Sequence, residues 1–265
     1  MAVSNPSSPR TSSTAPPASD GPRPTVIVDD LHVSYTVYAT GRPAREATKL
    51  LRRATSMRRA REVVALRGIS FVAREGEAIG VIGRNGSGKS TLLRAIAGLT
   101  PAKQGAVYAD SDPTLLGVNA ALINELSGER NIVLGGLALG MTPDQVRAKY
   151  DDIVDFAGIG EFIELPMRTY SAGMGARLRF AIAASATHRI LLVDEALAVG
   201  DADFQRRSEQ RINELRDEAG TVFLVSHSLK VVQETCQRTL WIDAGLLRMD
   251  GPSDEVIAAY NESVK

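Results

Sequence analysis

Cysteine is almost missing. Cys236 stands alone among 265 residues, so the chain cannot form an internal disulfide, and a reducing compartment suits it. Its bland role is that of a helix-packing residue. Excess positive charge is also missing. The formal net charge is zero, which argues against a general nucleic-acid binder while leaving a local basic patch open. Nowhere do about 18 apolar residues follow one another, so the chain is not expected to span a membrane by itself. Any membrane role must go through a partner or a surface helix. Histidines are few as well: His32, His188 and His227 are scattered without metal-ligand spacing, which rejects a zinc site. The first 24 residues are dominated by Ser, Thr, Pro, Ala and Gly and lack the apolar core of a secretory signal. They read as a disordered tail.

What the chain does have is a phosphate loop. Gly83-Arg84-Asn85-Gly86-Ser87-Gly88-Lys89-Ser90 is a complete Gly-x-x-x-x-Gly-Lys-Ser pattern. Ala78–Ile82 leads into it as an apolar strand, and Thr91–Ile96 leaves it as a helix. Strand, glycine turn and helix thus come in the order that a phosphate cradle requires. Gly83, Gly86 and Gly88 let the backbone turn its N–H groups toward β- and γ-phosphates, and the new helix adds its positive end. Lys89 reaches the phosphates, and the Ser90 hydroxyl suits Mg²⁺.

The folded part is expected to start near Thr25, with strands at 25–28, 31–38 and 65–73 before the phosphate-loop strand. Short strands and turns fill 101–118, and 129–162 turns mainly helical, with Pro143 at a helix start behind a Thr142 cap. Helices follow at 171–186, 202–218, 229–236 and 253–263, and strands at 189–194, 222–225 and 239–242. Such alternation around a phosphate loop indicates a largely parallel α/β core, with the helical block at about 119–186 inserted as a subdomain. Residues 42–61 stand apart. They carry eight basic side chains against the single acid Glu46, with Leu50, Leu51, Ala54 and Met57 at helical spacing. Two readings stay open: a solvated connector, or a basic amphipathic helix at an anionic membrane surface or permease interface.

Three further signals accompany the loop. Ile190-Leu191-Leu192-Val193-Asp194-Glu195 is an apolar strand ending in two acids. A metal and a water can satisfy such a pair at a strand's carboxyl end, with Asp194 holding Mg²⁺ and Glu195 orienting and deprotonating the attacking water. A plain acidic turn is the alternative. Tyr170-Ser171-Ala172-Gly173-Met174 precedes a helix, and reads either as a serine cap or as a second cradle for a γ-phosphate held by another copy of the chain. Phe223-Leu224-Val225-Ser226-His227 delivers a histidine at a strand end, where it could bond the γ-phosphate or hold the attacking water.

In this order the four signals resemble the ATP-binding cassette family over about residues 25–250. The resemblance implies a P-loop NTPase core with an antiparallel β part and an inserted helical subdomain, ATP and Mg²⁺ as ligands, and ATP hydrolysis coupled to transport. It places Ser171 and Gly173 in the signature, makes Glu195 the catalytic base and His227 the switch residue, and sets Asp201 in the loop crossing a dimer. The adenine-stacking aromatic falls on Tyr38 first and Tyr35 second, and the amide nearest the missing Mg²⁺-touching glutamine is Asn119. Ala172, Met174 and Ala196 depart from the common pattern. With Leu126–Ile132 and Asp194–Asp201, they are similar to ATPases that export O-antigen, teichoic acid or galactan, some of which carry a further carbohydrate-binding domain; none is expected after Lys265.

One phosphate loop and one signature per chain imply a head-to-tail homodimer enclosing two ATP molecules. The resemblance further implies a permease on the helical subdomain that holds the pair at the cytoplasmic face of the bacterial plasma membrane and moves a lipid-linked polysaccharide, with no nucleic acid expected. Another ABC transporter cargo is the alternative. A chromosome-maintenance ATPase would need a long coiled coil where only 80 residues separate Ser90 from Ser171, and a translation factor of this type would normally carry two cassettes.

Overall fold

The computed structural model describes residues 21–38, 60–116, 122–194, 201–226 and 228–264. Two sheets organise these residues. Strands β1 (Pro24–Tyr38), β2 (Ala60–Arg74) and β4 (Gln104–Ala109) form an antiparallel sheet in the order β2-β1-β4. The larger sheet adds β3 (Ala78–Ile82), β5 (Thr114–Leu115), β6 (Ile190–Asp194), β7 (Thr221–Val225), β8 (Arg238–Asp243) and β9 (Leu246–Pro252), in the order β5-β6-β7-β3-β8-β9. Its strands run parallel except β9, which returns antiparallel to β8.

Helices join the strands: α1 (Lys89–Ile96), α2 (Gly128–Ala138), α3 (Pro143–Ala157), α4 (Ala172–Ser185), α5 (Ala202–Glu218), α6 (Leu229–Thr235) and α7 (Ser253–Ser263). The apolar run of β6 has a double duty. Ile190 and Leu192 enter the core between the sheets with Val81, Leu92 and Phe223. Leu191 and Val193 face the other way, onto Phe180, Phe204 and Leu215. A strand buried on both faces needs a continuous apolar sequence rather than an alternating one.

The sheets are sewn together by two buried threonines. Thr221 of β7 donates to the Arg74 carbonyl at 3.1 Å and shares a 2.7 Å hydrogen bond with Thr25 of β1. The helical subdomain has its own core, in which Ile132, Val146, Ile153, Leu178 and Ile182 pack together. Its entry is well specified: Thr142 and Gln145 form a reciprocal capping box around Pro143. Among the described residues, no helix is long and apolar enough to cross a membrane.

The α/β core with its antiparallel part and inserted helical subdomain is the architecture that the sequence predicts. Two differences stand out. The strand expected at 65–73 begins at Ala60, which pairs with Tyr38, so Ala60 and Arg61 belong to β2 rather than to a helical stretch at 42–61. The rest of that stretch, 42–59, lies outside the described residues, as do residues 1–20 of the tail. Strand β9 was not foreseen. Its Asp250, Gly251 and Pro252 are unusual in strands, and they fit because β9 is an edge with alternate residues exposed.

Candidate functional site

The larger sheet brings the ends of three strands that carry sequence signals into one row. Val81 of β3 lies opposite Val225 of β7, and Val225 lies opposite Asp194 of β6. These three residues form one row near the carboxyl ends of parallel strands, where ligands of open α/β sheets bind. The phosphate loop leaves the row two residues after Val81. Glu195 follows Asp194 directly, and His227 comes two residues after Val225. Glu195, His227 and Asn119 themselves lie outside the described residues.

The phosphate loop is tightly enclosed from behind. Gly83 has φ 146°, and a Cβ there would stand 2.0 Å from the Ile242 carbonyl oxygen. Gly88 caps α1 in a left-handed conformation, and a Cβ there would meet the Ala65 carbonyl at 2.8 Å. Only glycine meets both demands. On the open side, Arg84, Asn85, Gly86 and Ser90 are exposed. Lys89 is nearly buried at 7% exposure, and its ammonium donates to the carbonyls of Gly83 at 2.8 Å and Arg84 at 3.0 Å. Ser87 Oγ is buried without a hydrogen-bond partner.

These observations fit a triphosphate. A glycine backbone at a helix N-terminus, with a nearly buried cation beside it, suits an anion. The Ser90 hydroxyl and the Asp194 carboxylate are the described groups suited to Mg²⁺, which accepts oxygen donors and keeps several waters or phosphate oxygens. No cluster of three His, Cys, Asp or Glu side chains that could hold a metal by itself occurs among the described residues.

Tyr35, the second aromatic candidate, donates from its hydroxyl to Thr91 Oγ1 at 3.4 Å, so β1 reaches over the start of α1. Tyr38 ends β1 opposite Ala60.

The signature segment lies at the start of α4, a helix that packs on α2, α3 and α5. Ser171 caps this helix by accepting from the Met174 amide at 3.2 Å. Space lies open beside Gly173, whose nearest neighbour to an added Cβ would be Ser171 Oγ at 3.9 Å. The preceding Tyr170 is anchored by donating to the Phe162 carbonyl at 2.7 Å, and burial pushes its phenol pKa up. Asp201 caps α5, accepting from the Phe204 amide at 2.9 Å. That hydrogen bond, helped by Arg177, holds the Asp201 carboxyl below its ordinary range.

Two supporting residues escaped the sequence reading. Arg177 reaches from α4 to Asp201 and lies 6.0 Å from the Phe204 ring centroid. Asn131, fully buried, pins the loop before α2: its Oδ1 accepts from the Ile123 amide, and its Nδ2 donates to the carbonyls of Ile123 and Ser127. The only advance sign was polarity at a helical position that should be buried.

A family model described as ABC transporter matches residues 66–198. The O-antigen export system ATP-binding protein RfbB of Myxococcus xanthus is 41% identical over 220 residues, which cover 83% of this chain and 50% of that protein. The teichoic acids export ATP-binding protein TagH of Lactococcus lactis is 41% identical over 76% of this chain and 43% of its own length. The TagH of Staphylococcus saprophyticus is 39% identical over 75% of each chain. The chain thus spans about half the length of the first of these curated relatives. Among solved structures, an ATP-binding subunit of an ABC transporter superposes with TM-score 0.64 at 20% identity, over 89% of this chain and 93% of that one. A dimeric ATP-binding cassette, MJ0796, bound to ADP and Pi, does so with TM-score 0.61 at 20% identity, over 86% and 98%. At these identities the likeness speaks for the fold.

Proposed function

This chain belongs to the ABC transporter family, among ATP-binding subunits related to the polysaccharide and teichoic-acid exporter ATPases, and from that premise we propose that it hydrolyses ATP to drive export of a lipid-linked cell-surface polysaccharide through a membrane permease. The observation that carries the reading is the row Val81–Val225–Asp194, which aligns the strand entering the phosphate loop with the end of β7 and with Asp194. The names of the relatives, which concern O-antigen and teichoic acid export, support the cargo class.

In this reading Lys89 and the loop amides bind the triphosphate, while Ser90 and Asp194 take the Mg²⁺. The metal, when bound, neutralises charge that develops on the phosphates. Glu195 accepts a proton from the attacking water, and His227 orients the γ-phosphate or that water. Ser171 and Gly173 of a second copy close the site from the opposite side. Asp201, held by Arg177 and the Phe204 amide but exposed at 64%, takes part in that contact. Two copies therefore pair head to tail around two ATP molecules, and binding linkage favours the closed pair until hydrolysis ends it. A permease seated on the helical subdomain converts closure and opening into alternating access. The chain then works peripherally, at the cytoplasmic face of the bacterial plasma membrane.

The test is ATPase measurement on the intact complex with its permease in membranes. Lipid-linked glycans are expected to stimulate hydrolysis above the basal rate, and Glu195→Gln to abolish the stimulated rate. Stimulation by an unrelated cargo, with none by glycans, would assign the chain to another transporter class.

A further inference from the structure

The hairpin turn between β8 and β9 grips the phosphate loop from outside. The Gly245 amide donates to the Ser87 carbonyl at 2.9 Å, while the Gly245 carbonyl accepts from the Arg67 amide of β2 at 2.9 Å. The Arg67 guanidinium adds a brace, donating from Nε to the Ala244 carbonyl at 3.2 Å. Both turn residues are left-handed, Ala244 at φ 48° and Gly245 at φ 81°, as a two-residue hairpin of the primed type requires. For Ala244 that conformation is intrinsically unfavourable. Its surroundings hold it there. A Cβ at Gly245 would press on the Ala65 carbonyl oxygen at 2.6 Å.

The bond to Ser87 has a consequence for the cradle. A trans peptide unit is planar, with its C=O and N–H pointing in opposite directions. Holding the Ser87 carbonyl toward Gly245 therefore directs the Gly88 N–H away from the turn. Ile242, in the strand that leads into this turn, fills the space behind Gly83. One hairpin thus fixes the loop at its first residue and again at its fifth.

We infer that Gly245, Ala244 and Arg67 are positioning residues for nucleotide binding: the turn holds the Ser87–Gly88 peptide in the orientation that offers its N–H to a phosphate. None of the three belongs to the phosphate loop itself, and the inference rests on the nucleotide-binding reading above.

The experiment compares Arg67→Ala, Arg67→Lys, Gly245→Ala and the control Gly251→Ala, which lies on the same hairpin with only an ordinary 3.8 Å contact to Val256. Calorimetric titration with ATP and Mg²⁺ gives Kd, steady-state hydrolysis gives KM and kcat, and thermal melting gives Tm. Arg67→Ala, which deletes one hydrogen bond, is expected to raise Kd and KM by about three- to tenfold with kcat and Tm unchanged. Arg67→Lys should restore affinity, and Gly251→Ala should match the wild type. Gly245→Ala should weaken binding by more than Arg67→Ala; if it fails to fold, the Arg67 pair decides. Unchanged Kd in Arg67→Ala, or a fall in Tm and kcat without a change in Kd, overturns the inference. A wild-type chain that binds no ATP would instead sink the nucleotide-binding reading beneath it.

Discussion

Arg177 and Asp201 link α4 to the start of α5, with Nη1 of one 3.4 Å from Oδ2 of the other. The guanidinium is largely buried, and the carboxylate is exposed. Asp201 also caps α5 through the Phe204 amide. Because its folded pKa is depressed, the stability it contributes is present above the ordinary carboxylate range and lost as pH falls through the folded value. Asp201→Ala should remove that part of the acid-side loss together with the cap, and speed amide exchange in the first turn of α5. Unchanged exchange at residues 202–206 would show that the cap holds nothing.

Lys89 folds back on its own loop, donating to the Gly83 and Arg84 carbonyls. Lys89→Ala removes a charge-assisted donor for the phosphates and should weaken ATP binding by about tenfold or more. A titration showing undiminished affinity would refute the assignment.

Glu195→Gln should keep ATP binding and lower turnover by about 100-fold or more, because an amide cannot take the proton of the attacking water. A hydrolysis rate equal to the wild type would remove Glu195 from the proposed chemistry.

His188 reports on the far end of the signature helix. Its Nε2 lies 2.7 Å from the Ala183 carbonyl, which can only accept, so the ring donates. Burial is the largest cause pushing its pKa down, Arg211 and Lys149 push the same way, and the hydrogen bond to Ala183 opposes them. A histidine with a depressed folded pKa stabilises the fold above its unfolded value of about 6.5, and that contribution is lost as pH falls through the folded value. His188→Gln keeps a donor and removes the titration. Its urea midpoint should therefore vary less between about pH 7 and about pH 5 than that of the wild type. Equal slopes would show that His188 does not couple folding to protons.

Much of the fold is legible in the sequence where local chemistry alone decides it. Thr142 and Pro143 mark the start of α3 because caps and fixed φ act within one turn. The apolar run of β6 declares a buried parallel strand before any neighbour is known. The phosphate loop is legible for the same reason, since its glycines answer a backbone demand. What stayed hidden depends on distant partners. Arg177 reads as one more charged helical residue until α5 places Asp201 beside it. Gly245 reads as an ordinary turn glycine until β2 and the phosphate loop close around it. Strand β9 has poor strand chemistry and exists because β8 offers it an edge.

The head-to-tail pair is the central claim, and interchain crosslinking tests it most directly. Two populations of the chain, both with Cys236→Ser and Glu195→Gln, would carry either Asn85→Cys or Ala172→Cys, so that only contact between different molecules can form the bond. With ATP and Mg²⁺ the mixture is expected to yield a covalent dimer that neither population forms alone and that vanishes without nucleotide. Two variants that each bind ATP yet yield no mixed dimer would contradict the account.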